Sequence, residues 1–177
     1  ERIRNSGTST VQAIAKAYED MQSAWESNGA RSFLLGKKPS GSTATTLLVT
    51  GRQRWLPGRF QVVVASVGDS RCVMYPNGRK DSRGEQLTND HTAEKPVEAM
   101  RVEMDGGTLR KHLAEDMETE GPMRVYPGGL KLTRSIGNLK SCPAIIPTPE
   151  VTITELPREG ARIVLATNGL WNAVGNK

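Results

Sequence analysis

The chain lacks most of what would send it to a membrane, an oxidising compartment or a nucleic acid. Of its 177 residues only Cys72 and Cys142 are cysteines. Two are too few for a disulfide framework, and neither has the Cys-x-x-Cys spacing of a structural zinc site. No apolar run approaches the roughly 18–20 residues that span a bilayer. The first residues, Glu1-Arg2-Ile3-Arg4-Asn5, carry basic charge without an apolar stretch behind it, so they do not read as a signal peptide. With these signals absent, the expected default is an intracellular location, cytoplasmic or nuclear, in reducing surroundings. Aromatics make up only 5% of residues, and none interleave with arginines in the manner of a nucleic-acid-binding face. The net charge of +5 and a pI near 9.4 come from Lys and Arg scattered among acids. Such a surface excludes no partner class outright, but it suits phosphorylated or acidic proteins better than nucleic acid. There is no internal repeat and no low-complexity tract.

What is present fits one globular domain rich in turns, with 36% hydrophobic residues and 18 glycines. Residues 8–27 predict an amphipathic helix, with Val11, Ile14, Tyr18, Met21 and Trp25 on one face and Asn28-Gly29 as its stop. Ala44–Thr50 is small and β-branched. Arg59–Val67 is an almost continuous apolar run, the mark of a strand buried on both faces. With Arg71–Tyr75, the turn Pro76-Asn77-Gly78 and Gln86–Thr88, it predicts a β-meander. Thr92–Met104 predicts a second helix, capped by Thr92 and stopped by Asp105-Gly106-Gly107, with Val97, Met100, Arg101 and Met104 on one face. Leu109–Gly121 is charge-rich and reads as a solvated loop or short exposed helix. Leu130–Thr133 is a short strand candidate, the proline-punctuated stretch around Val151–Ile153 reads as looped, and Arg162–Thr167 is the last strand. The pattern is α+β with a mainly antiparallel sheet.

Several short motifs then follow one another in a recognisable order. They are Ser40-Gly41-Ser42-Thr43-Ala44, Val67-Gly68-Asp69-Ser70-Arg71, Leu87-Thr88-Asn89-Asp90-His91, Glu98 and Arg101 on the second helix, Gly106-Gly107, Leu132-Thr133-Arg134-Ser135-Ile136-Gly137-Asn138, Pro149-Glu150-Val151, and Ala166-Thr167-Asn168-Gly169-Leu170-Trp171-Asn172. Each alone is weak evidence, but their joint order over residues 10–175 resembles the metal-dependent protein phosphatases of type 2C (the PPM family). The resemblance implies an α-β-β-α sandwich of two antiparallel sheets flanked by helices. It also implies hydrolysis of phosphoserine and phosphothreonine by water held on two Mn²⁺ or Mg²⁺ ions, whose carboxylate ligands suit hard dications.

Residue by residue, the resemblance is incomplete. The family's Asp-Gly-His-Gly-Gly and Gly-x-x-Asp-Asn segments do not occur, so residues 1–177 read as one type 2C-like domain without its N-terminal and C-terminal metal-binding segments. Asn168 stands where a metal-binding Asp is expected. Asn138 and Asn172 likewise replace Asp, and Gly169 keeps its place in the motif. Asp90 matches an additional-metal ligand of some members, although it would equally cap the helix that follows. Arg134 reads as a cleft arginine that pairs a carboxylate or orders the loop after it. Asp69 reads as a turn-closing residue, His91 as a packing residue and Trp171 as core. No residue is assigned a catalytic role. Three amides at acidic positions fit relaxed constraint, so the leading expectation is a pseudophosphatase that binds a protein partner or phosphoprotein, possessing a weakened metal site or none. An active Mn²⁺- or Mg²⁺-dependent phosphatase is the second reading, and a purely structural assembly subunit the third.

Overall fold

The computed structural model of the protein describes residues 2–34, 40–51, 60–78, 83–113, 120–138 and 142–176. Within these, helices are α1 (Arg2–Leu34), α2 (Pro96–Met104) and α3 (Asn168–Val174). Strands are β1 (Gly41–Ser42), β2 (Ala44–Gly51), β3 (Phe60–Val67), β4 (Arg71–Pro76), β5 (Glu85–Gln86), β6 (Thr108–Leu113), β7 (Glu120–Tyr126), β8 (Ile136–Gly137), β9 (Glu150–Glu155) and β10 (Ala161–Ala166). The chain forms two compact units, each built from two stretches of sequence: residues 1–43 with 91–149, and residues 44–90 with 150–177. The named strand pairs are all antiparallel, and the fold is α+β, antiparallel sheets accompanied by helices.

The second unit holds two three-stranded sheets, in the orders β2-β3-β9 and β10-β4-β5. The central strands β3 and β4 are the continuous apolar runs, because a central strand is covered on both faces. Val62 and Val64 of one sheet meet Cys72, Met74 and Leu87 of the other, with Leu47, Leu156, Ala161 and Ile163 at the margins. The expected meander is therefore corrected. β3 and β4, joined through the left-handed Gly68 (φ 99°), do not pair with each other; each is the centre of its own sheet. Nor does Asn77-Gly78 close a two-residue hairpin: β4 meets β5 in the register Val73↔Gln86, while Asn77 turns to the Pro157–Gly160 turn through the Gly160 and Glu159 carbonyls. The proline-flanked stretch around Val151 is not a loop but β9, paired along β3 from Gln61↔Glu155 to Ser66↔Glu150.

In the first unit α1 runs well beyond the predicted 8–27, from Arg2 through Asn28-Gly29 to Leu34, so Asn28-Gly29 does not stop it. Its buried stripe is Ile14, Tyr18 and Gln22, spaced by four, and not the predicted Met21 and Trp25, which are exposed. Gln22 is inside because its Oε1 accepts from the Gly137 N–H at 2.7 Å, and Trp25 donates its indole N–H to the Ser40 carbonyl at 3.1 Å. The two side chains hold the β1–β8 pair. α2 begins at Pro96 with Lys95 as N-cap, later than the predicted Thr92, which instead bridges to Leu132. Its exposed side carries Val97, Met100 and Met104, while Glu98 and Val102 face inward. The apolar face assigned to α2 by periodicity is thus inverted. Gly106 at φ 79° and the Gly107 N–H to Val102 carbonyl bond (2.8 Å) end the helix as expected. Residues 108–126 correct the loop reading: β6 and β7 form a hairpin whose inner face, Leu109, Met123 and Val125, joins a core of Ala93, Val102, Cys142, Ala144 and Ile145. Its connecting residues 114–119 lie outside those described. Leu130–Thr133 makes only isolated bridges, Leu130 to Val125 and Leu132 to Thr92.

Candidate functional site

Asp90 ends the first stretch of the second unit, after β5. It does not cap a helix. Arg71, the first residue of β4, grips its carboxylate with Nε at 2.8 and 3.1 Å and Nη2 at 2.6 Å, a two-pronged fork. Gln86 adds Nε2 to Oδ1 at 3.3 Å and anchors itself on the Thr88 carbonyl. Asn176 closes the ring by accepting from Arg71 Nη1 and donating to Gln86. The hydrogen bond to Asp90, opposed by partial burial, raises the pKa of the Arg71 guanidinium. Asp90 is therefore the acceptor at the centre of a protein network.

Asn168 is the first residue of α3, after Thr167 as N-cap. It is exposed, and its amide makes no hydrogen bond to the described residues. Gly169 has no special backbone demand: a Cβ there would meet only Thr167 Oγ1, at 3.8 Å. Asn172 is also exposed on α3, whereas Trp171 is buried and donates to the Ala166 carbonyl at 2.9 Å, which makes it core as read. The side-chain partners of Asp90 among the described residues are Arg71 and Gln86, and Asn168 is not one of them. Among the described residues no three His, Cys, Asp or Glu side chains gather as a metal cage would require. The Mn²⁺ or Mg²⁺ pair that the resemblance implies does not fit this donor set, since Asp90 is occupied by Arg71 and position 168 offers one neutral amide.

Asn138 has a different job. Among the described residues it is the non-glycine residue at positive φ (61°), a conformation Asn tolerates. Its N–H donates to the Ser40 carbonyl, its carbonyl accepts from Cys142, and its side-chain amide donates to Ser135 Oγ at 3.0 Å. Gly41 lies so close that a Cβ there would overlap the Asn138 side chain and the Ile136 carbonyl.

The best-built polar cluster sits in the first unit, around a residue that periodicity had not marked as buried. Glu98 is 5% exposed. Arg134 embraces it with Nε at 3.0 Å and Nη2 at 2.5 Å, Thr133 donates Oγ1 at 2.6 Å, and Arg101 Nη2 reaches it at 3.2 Å. Arg134 also donates to the Thr148 carbonyl at 3.1 Å, and Arg101 to the Thr133 and Ala144 carbonyls and to Asp105. One carboxylate thus ties α2 to the segments at 133–134 and 144–148. Burial alone would push the Glu98 pKa up, but the hydrogen bonds from Arg134 and Thr133 and the charges of both arginines win, holding it down at about 2. Of the two alternatives the sequence left for Arg134, pairing a carboxylate or ordering the loop after it, the geometry has the side chain paired with Glu98. The signal for Glu98 was its i,i+3 spacing to Arg101 beside a second Arg in the Thr-Arg-Ser segment. His91, at 1% exposed, offers its carbonyl to the Thr133 N–H, which fits a packing residue.

The family model of protein phosphatase 2C matches residues 1–177. Among curated relatives, the chain is 41% identical over 140 residues to probable protein phosphatase 2C 33 of Oryza sativa subsp. japonica, covering 78% of this chain and 30% of the relative. It is 36% identical over 138 residues to probable protein phosphatase 2C 5 of Arabidopsis thaliana, covering 77% and 30%. The chain thus spans under a third of the length of these relatives. Among solved structures, a serine-threonine phosphatase 2C from Toxoplasma gondii superposes with a TM-score of 0.71 at 22% identity, over 94% of this chain and 52% of that one, which supports the shared fold. With the ordered motifs and the antiparallel sheets, these matches carry one conclusion: this chain belongs to the protein phosphatase 2C family.

Proposed function

We propose that this chain is part of a type 2C serine/threonine phosphatase-like domain that has lost or weakened its catalysis and acts by binding a phosphoprotein, as a pseudophosphatase. The observation that carries the reading is the pairing of an exposed, uncharged Asn168 with an Asp90 already closed inside the Arg71 fork. Asp to Asn keeps shape and removes a unit charge. At an effective dielectric of about 20, one charge 2–4 Å from a dication is worth several kcal/mol, which corresponds to a few orders of magnitude in metal affinity. The sandwich core does not depend on that charge, so a family scaffold would survive its loss and keep a surface matched to phosphorylated chains. The test is Mn²⁺-dependent hydrolysis of a phosphothreonine peptide by the full-length protein beside its Asn168→Asp variant. The proposal expects an inert wild type and a variant that gains metal-dependent turnover. Turnover by the wild type would show a working phosphatase and end the pseudophosphatase reading.

A further inference from the structure

The β6–β7 hairpin has two faces of opposite character. The inner face is the apolar row already described. On the outer face the register sets Arg110 directly opposite Arg124 and Thr108 opposite Tyr126. Two like charges directly opposed on neighbouring strands destabilise a ladder, because their Cβ atoms stand only about 5 Å apart. Neither guanidinium has a carboxylate partner among the described residues. Each is nonetheless held in place. The Arg110 guanidinium lies over the Tyr126 ring, 5.9 Å from its centroid. Arg124 Nη1 donates to the Gly129 carbonyl at 2.7 Å, while its Nε is buried without an acceptor. Gly129 is glycine for its backbone, at φ 67°: a Cβ there would only be in ordinary van der Waals contact with the Tyr126 ring edge and hydroxyl, at 3.6–3.8 Å. The result is a pair of guanidinium groups at directly opposed positions, one exposed and one half-buried, held on the same face of the ribbon.

We propose that the outer face of this hairpin is an anion-recognition site, in which Arg110 and Arg124 together bind the phosphoryl group of a phosphorylated peptide. A phosphoryl dianion matches two cations, whereas a single carboxylate leaves one uncompensated; each Arg–phosphate contact is a strong, charge-assisted one. The Tyr126 ring beside it supplies a flat apolar contact for the peptide. Two directly opposed cations on one face of the ribbon do not form a track along a nucleic-acid backbone, so a peptide is favoured over RNA or DNA. This inference rests on the phosphoprotein-binding reading and assigns its recognition element to the first unit, whereas position 168 belongs to the second.

The test is binding of a phosphothreonine peptide, its unphosphorylated twin and inorganic phosphate to full-length wild type, Arg110→Ala, Arg124→Lys and a control, Lys131→Ala, with the thermal midpoint of each free protein. The expected result is phosphate-dependent peptide binding that Arg110→Ala weakens by about tenfold or more, that Arg124→Lys weakens measurably, and that Lys131→Ala leaves intact. The midpoint of free Arg110→Ala is expected to stay level or rise, since a like-charge repulsion is relieved. Peptide binding untouched by either arginine variant would overturn the hairpin site while leaving the phosphoprotein-binding reading standing. No binding of the phosphopeptide to wild type would overturn both. Inorganic phosphate competing on equal terms with the peptide would overturn the peptide assignment in favour of a free anion. A large drop in the Arg110→Ala midpoint would make Arg110 structural and also overturn it.

Discussion

Replacing Glu98 by Gln keeps the shape of the side chain and removes the one negative charge between Arg134 and Arg101. The cost follows from linkage. The carboxyl is held at about 2, against an ordinary value of 4.5, and at about 1.4 kcal/mol per pKa unit the difference is worth roughly 3 kcal/mol of folding stability near neutrality. The sign is that of a depressed acid: the contribution is complete above the unfolded value of 4.5 and is lost as pH falls toward 2, with roughly 1 kcal/mol left near pH 3 by the same relation. Breaking a buried pair from one side generally costs about 3–5 kcal/mol, which agrees in size. The assay is urea unfolding of wild type and Glu98→Gln from pH 7 down to pH 3, read as the difference in free energy at each pH. The gap is expected to be near 3 kcal/mol at pH 7, by the linkage relation, and to shrink by about half or more by pH 3. A gap below 1 kcal/mol at pH 7, or one that stays constant across the acid range, would refute the account of Glu98 as a charge-dependent clasp between α2 and residues 133–134.

Two further outcomes rest on other parts of the fold. Gly41→Ala forces a Cβ onto the Ile136 carbonyl and the Asn138 side chain, so a loss of about 1–3 kcal/mol in thermal or urea unfolding is expected; a variant as stable as wild type would contradict the close β1–β8 approach. Both cysteines are buried, and burial pushes the Cys72 thiol up to about 11. At pH 8 about one thiol in a thousand is then ionised. A disulfide reagent such as DTNB is expected to titrate neither Cys72 nor Cys142 in the folded protein and both after unfolding, and rapid native reaction would place Cys72 outside the sandwich core.

Strands were legible where a run of β-branched residues coincided with the centre of a sheet. Phe60–Val67 is such a run; Arg71–Pro76, with Val73 its one β-branched residue, was legible instead as a short apolar stretch, and both are central strands. Their pairing was not legible. β4 finds β10 some ninety residues later, from Ala161↔Pro76 to Ala166↔Arg71, and local pattern carries no record of so distant a partner. Periodicity failed on α2 for a chemical reason: Glu98 is inside because two arginines and a threonine satisfy it, while Val97, Met100 and Met104, which hydropathy would bury, face out. The same weighting hid the hairpin. Leu109, Met123 and Val125 alternate with charged neighbours in the period of a strand, but the charges of that stretch dominated its reading.

The three asparagines at acidic positions looked alike in sequence, and the structure separates them. Asn138 is accounted for by the backbone: its φ of 61° suits Asn, and its amide, N–H and carbonyl are all engaged in tying β8 to Ser40, Ser135 and Cys142. An amide donates to Ser135 where an ionised carboxylate has no proton to give, so this substitution has a local structural rationale that needs no relaxed catalysis. Nothing in the structure explains Asn172. Asn168, exposed at the start of α3, is the one of the three at the position where the resemblance expects a metal-binding Asp, and the proposed loss of catalysis follows from the charge missing there. Restoring that charge with Asn168→Asp is therefore the perturbation that tests it.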